Sequence, residues 1–156
     1  MKKNVFPLAL LIASFSITSC KEEVKDVIKP TINLHEPADN DTLYVGHEVH
    51  LDVELSDDVK LKSYKIDIHS NFDGHNHASV KSVESSKAWV FSKVWDLTGL
   101  RNTDIHHHEI IVPDSIDGSP IAKGKYHFSI QVLDEAGNES KKFVDVVVDN
   151  GTPHED

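Results

Sequence analysis

Val49-His50-Leu51-Asp52-Val53-Glu54-Leu55, between Gly46 and Ser56-Asp57-Asp58, is the stretch that decides the fold. Val49, Leu51, Val53 and Leu55 fall on one side, and His50, Asp52 and Glu54 on the other. A period of two is that of a strand with one face on a core and the other in water. Gly46 ahead of it and the Ser-Asp-Asp behind it are turn residues.

The same alternation recurs in both directions from this strand. Upstream, Ile32 and Leu34 alternate with Asn33 and His35, and Pro37-Ala38-Asp39-Asn40-Asp41 makes a turn. Downstream, residues 61–69 bury Leu61, Tyr64, Ile66 and Ile68 and turn Lys65, Asp67 and His69 outward. Residues 89–97 form an aromatic strand in which Trp89, Phe91 and Trp95 share parity and line the core. A turn at 98–102 leads to a strand over 105–112 that Pro113 stops. Residues 114–123, with Gly118 and Pro120, read as a loop. Tyr126, Phe128, Ile130 and Val132 then alternate with His127, Ser129 and Gln131, a turn spans 134–138, and the last strand covers 143–148. Seven strands with turns between them and no helical pattern predict one antiparallel β-sandwich of immunoglobulin or fibronectin type III kind over residues 30–149, followed by a polar tail over 150–156.

The N-terminus predicts an address. Lys2 and Lys3 precede an apolar run that is too short to span a bilayer as a mature helix. Ile17-Thr18-Ser19 then leads to Cys20, the only cysteine. Small residues before a single cysteine resemble the lipobox of bacterial lipoproteins, where the sulfur is acylated and the cysteine becomes the new N-terminus. The resemblance implies a signal peptide over residues 1–19, lipidation at Cys20 and a tether over 20–29, of which Val24 to Lys29 is expected to be mobile; an ordinary secretory signal with an incidental cysteine is the alternative. Lys21-Glu22-Glu23 resembles the surface-export signal of some Gram-negative lipoproteins. The expected location is the outer membrane, on its periplasmic or cell-surface face.

Removing Lys2 and Lys3 lowers the basic count from 16 to 14 against 26 acids, so the net charge moves from −10 to −12. Such a surface repels nucleic acid and anionic lipid and attracts cations. With Cys20 acylated the domain has no thiol or disulfide, and its stability must come from its core.

Chemistry concentrates in His69-Ser70-Asn71-Phe72-Asp73-Gly74-His75-Asn76-His77. Imidazole is the commonest ligand for zinc and copper. In a sandwich, strands 61–69 and 125–133 are antiparallel neighbours, so outward His69 and His127 meet across the ladder, ~5 Å apart at Cβ. His75 and His77 on the following loop fold back as further ligands, and Asp73 ligates or orients an imidazole. The expected site is therefore His69, Asp73, His75, His77 and His127, holding Zn²⁺ or Cu²⁺.

His106-His107-His108 is a second cluster. His106 and His108 share a face and form a possible second site, or else a polar strand entry. Ile110 and Val112 continue the His106/His108 face while Ile105 and Ile111 continue that of His107, so the period leaves the inward face open. His35, His47 and His50 are expected nearer the end of the sandwich that carries the first site, as auxiliaries to it. Asp57, Asp58 and Asp134 sit in turns, where Asx-type bonding competes with a Ca²⁺ role and is favoured over it.

Residues 67–77, the tryptophan strand, Ile110-Ile111-Val112-Pro113, Gly124-Lys125-Tyr126-His127-Phe128 and Asp134-Glu135-Ala136-Gly137-Asn138 resemble the DUF4625 family of Gram-negative lipoproteins. That resemblance implies an Ig-like fold and a lipoprotein address, and no settled activity. Two classes of function fit: a metal-binding lipoprotein that captures or hands over Zn²⁺ or Cu²⁺ beside an outer-membrane transporter, or an Ig-like adhesion or accessory module with incidental histidines. No nucleophile elbow, phosphate loop or HExxH occurs, and the chain is not expected to be an enzyme.

Overall fold

A computed structural model describes residues 25–71 and 86–153, in which all regular structure is strand. In chain order the strands are β1 (Thr31–Glu36), β2 (Asp41–Tyr44), β3 (Glu48–Ser56), β4 (Leu61–Ser70), β5 (Val90–Asp96), β6 (Asn102–Ile111), β7 (Ser115–Ile116), β8 (Ser119–Pro120), β9 (Gly124–Asp134) and β10 (Glu139–Asp149). One sheet has the order β1-β3-β6 and the other β2-β10-β9-β4-β5, while β7 and β8 pair only with each other.

The alternation in each strand makes these two sheets a sandwich. Val49, Leu51, Val53 and Leu55 of β3 are buried. From the other layer, Tyr64, Ile66 and Ile68 of β4 and Tyr126, Phe128, Ile130 and Val132 of β9 meet them in one continuous cluster. Fully burying a side chain of this size stabilises by ~1.5–3 kcal/mol, so a core of this extent can hold the domain without a cross-link. Trp89 is buried, and Phe91 and Trp95 pack against the core, as their shared parity predicts.

Each of the seven strands read from the sequence is present. The differences are local. The chain leaves the 37–40 turn through Asn40, at φ 69°, and adds the short strand β2. That strand runs parallel to β10, Asp41 to Tyr44 beside Val146 to Asp149, so the larger sheet is not wholly antiparallel. The expected 114–123 loop contains the small β7/β8 ladder. Ahead of β1, Asn138 Nδ2 donates to the Asp26 carbonyl at 3.3 Å, and Ser140 Oγ donates to that of Pro30.

A β-bulge resolves the face of β6. Leu51 opposes His107, but the next inward residue of β3, Val49, opposes Ile110. His108 and Glu109 together therefore face the single residue His50, which is the count of a bulge. Ile105 and His107 point inward before it, and Ile110 and Val112 point inward after it. β6 and β5, the edge strands of their sheets, meet along one side of the sandwich. Half-buried His107 shares a 3.0 Å hydrogen bond with the Tyr64 hydroxyl, and its ring lies 5.3 Å from that of Trp95, which stacks on Tyr64. Burial pushes the His107 pKa down, and this outweighs the opposing pull of Glu109. Glu109 Oε2 accepts from Lys93 Nζ at 2.8 Å and Trp95 Nε1 at 3.1 Å, and these bonds hold its carboxyl below the usual carboxylate range.

Candidate metal centre

The outward face of β3 and β6 carries His50, His106 and His108, all exposed. Antiparallel pairing sets Asp52 opposite His106, and the bulge sets His108 and Glu109 opposite His50. His50 thus has one imidazole directly across the ladder and a second on the diagonal. Both neighbours lie within reach of a long side chain. The ring centroids are 4.6 Å apart for His50 and His106, 4.7 Å for His50 and His108, and 5.4 Å for His106 and His108. One nitrogen of each ring lies within 4.8 Å of the other two.

These spacings can be compared with those an ion needs. Zinc holds imidazole nitrogen at ~2.0–2.1 Å in a tetrahedron, so two ligands of one ion are ~3.3 Å apart. His50 Nε2 and His106 Nδ1 are 3.3 Å apart. Carboxylates already hold the opposite nitrogens: Glu36 Oε2 lies 3.2 Å from His50 Nδ1, and Glu48 Oε2 lies 3.4 Å from His108 Nδ1. Such carboxylate–imidazole pairs orient metal ligands from behind and raise their basicity. The set supplies three nitrogens and leaves one tetrahedral position for water or an incoming ligand.

His50 and His108 also border an open cavity of about 550 Å³ with Gly46, His47 and Glu48. Gly46 sits at φ 78°, and a Cβ there would meet Asp114 Oδ1 at 2.8 Å. A side chain at 46 would be strained by the positive φ and would need Asp114 to move.

The residues favoured by the sequence are distributed differently. His69 and His127 do oppose each other across β4 and β9, with ring centroids 5.4 Å apart at 60°. Asp145, which opposes His127 on β10 and which sequence reasoning missed, lies 2.7 Å from His127 Nδ1 through Oδ1. His75, His77 and Asp73 lie outside the described residues, as do Cys20 and His154. Among the described residues no third donor completes a set around His69 and His127. The auxiliaries need correction. His35 bonds Asn33 and Glu54, His47 meets the Tyr44 ring edge-on, and His50 belongs with His106 and His108. All three lie on or beside strands of the β1-β3-β6 layer, whose outer face is opposite that of His69. The parity of His50 on β3, taken with the pairing of β3 and β6, was the signal that locates it.

The turn aspartates do bond as Asx turns require. Asp57 Oδ2 accepts from the Val59 and Lys60 amides at 2.9 and 2.7 Å, and Asp134 Oδ1 accepts from the Asn138 amide at 2.7 Å.

No curated protein matches the sequence. Residues 18–149 match the family described as a domain of unknown function, DUF4625. That span takes in all ten strands and most of the 156 residues, and the chain belongs to the DUF4625 family.

Proposed function

We propose that this protein is an envelope lipoprotein that binds Zn²⁺ or Cu²⁺ on the His50/His106/His108 face, for capture or handover of the ion. The observation that carries the reading is the convergence of three imidazoles on one point, two of them backed by glutamates. Nitrogen donors of this kind suit zinc and copper over calcium or magnesium. Exposure of all three rings and an open fourth position favour exchange over permanent structural binding. The acidic surface raises the local cation concentration. Acylation of Cys20 places the domain at the outer membrane, where an outer-membrane transporter is the natural recipient. Binding, and not catalysis, is the proposed role.

The test is calorimetric titration of the full-length chain, without a histidine tag, at about pH 7.5 and about pH 5.5. We expect one ion per chain with micromolar or tighter affinity at the higher pH. It weakens sharply at the lower pH, because protons compete for imidazole nitrogen. A His50→Ala/His106→Ala variant loses it. Absence of binding, or binding unchanged in that variant, overturns the proposal and leaves an Ig-like interaction module. Loss confined to a His69→Ala/His127→Ala variant moves the ion to the other sheet.

A further inference from the structure

A different constellation lies at the end of the sandwich where the β3–β4 and β9–β10 turns meet the incoming chain. Asp57, in the β3–β4 turn, is 8% exposed. Its Oδ2 is occupied by the Val59 and Lys60 amides, but its Oδ1 is fully covered and has no hydrogen-bond partner. A buried carboxylate oxygen left in that state is costly, and native folds pair such atoms with a donor or a cation. One carboxylate oxygen from each of Asp26, Asp57 and Asp58 lies within 4.8 Å of the other two. Among the described residues none of the three joins an ion pair. Of the cations at this turn, Arg101 donates to the Asp58 backbone carbonyl and Lys60 pairs with Glu135.

Three carboxylates this close repel one another unless a cation sits among them. The donor set is all oxygen, which selects hard ions. Calcium binds oxygen at 2.3–2.6 Å, so two of its ligands are at most ~5 Å apart. The 4.8 Å envelope falls inside that limit. We infer that Asp26, Asp57 and Asp58 form a Ca²⁺ site, with the unpartnered Oδ1 of Asp57 as its buried ligand. Asp26 belongs to the segment ahead of β1, and the Asn138 amide group already holds its carbonyl. The ion therefore fastens that segment to the sandwich and fixes the direction in which the domain leaves it. The site shares no residue with the imidazole face, and calcium has little affinity for nitrogen. Failure of one reading leaves the other intact.

The experiment is thermal unfolding of the full chain in about 2 mM calcium chloride against EGTA, with trypsin cleavage at Lys25 and Lys29 followed in both. Asp26→Asn and Asp58→Asn keep the amide bonds of the Asp57 turn and are the variants of choice. With a Kd near 0.1 mM, calcium raises the wild-type midpoint by roughly 5 °C. It also slows cleavage at both lysines, and both variants lose most of the rise. No calcium-dependent shift in the wild type, or the same shift in both variants, overturns the inference.

Discussion

The two histidine-bearing faces of this sandwich follow one plan and reach different ends. On the larger sheet, β4 and β9 pair in regular register at His69 and His127, and each strand contributes one imidazole. The next strand outward, β10, presents Asp145, which takes the Nδ1 of His127. On the smaller sheet, β6 contributes His106 and His108 from one face, and β3 contributes His50 into the gap between them. Donor number at a point on a sheet therefore depends on an i, i+2 pair on one strand with one residue across from it. The 69–77 stretch holds three histidines in nine residues, of which His69, on β4, lies among the described residues.

The largest effect that bears on this contrast is removal of the single donor from β3. His50→Ala leaves the i, i+2 pair alone and lowers Zn²⁺ affinity by ~100-fold, since losing a group that only orients a ligand from behind already costs ~10–100-fold. His69→Ala changes it by less than about threefold. Copper(II) bound to the wild type shows three equatorial nitrogens by electron paramagnetic resonance, and the His50→Ala protein shows two. Equal losses in the two alanine variants would erase the distinction between the faces.

The carboxylates behind the rings sharpen the contrast at a smaller scale. Glu36→Gln with Glu48→Gln leaves every imidazole in place and removes the charge behind His50 and His108. The expected cost is ~10-fold in Zn²⁺ affinity, the lower end of what such partners contribute where they are exposed. Asp145→Asn makes the matching change behind His127 and leaves zinc affinity untouched. An equal response in the two variants would show that acidic surface charge as a whole drives binding.

Much of this architecture was legible where one residue type repeats against water at a fixed period. Residues 49–55 and 126–132 fix both inner faces, and from them follow the pairing of the 61–69 and 125–133 strands and the meeting of His69 with His127. Residues 105–112 were not legible in the same way, because the bulge at His108 and Glu109 shifts the parity of every later residue. Periodicity has no means of marking a residue inserted without a partner. Strand β2 was hidden for another reason. Its four residues pair in parallel with a strand a hundred positions away and look locally like the end of a turn. His50 was visible as an outward residue of β3 from the start. Its partners emerge only once β3 and β6 are known to be neighbours.

A pH-dependent effect, separate from metal affinity, concerns the inward neighbour of His127. Tyr126 is fully buried. Its hydroxyl donates to the Ala122 carbonyl at 2.6 Å and accepts from the Trp89 amide at 3.1 Å. Burial raises its pKa above the ordinary tyrosine value, against the opposing bond from Trp89. In the unfolded chain the phenol ionises near pH 10, where the folded protein still holds its proton. The unfolded state then binds fewer protons than the folded state, so stability falls as pH rises through ~10 toward the folded value and is complete below it. Tyr126→Phe removes both bonds and leaves the Trp89 amide unpartnered, so the variant is less stable at neutral pH by ~1–3 kcal/mol. It lacks this titration, however, and its midpoint falls less between about pH 9 and about pH 11. Thermal melts of the two proteins across that range should show the gap narrowing. A constant gap would mean that the phenol ionises alike in both states, and that the buried side of β9 is wetter than its packing implies.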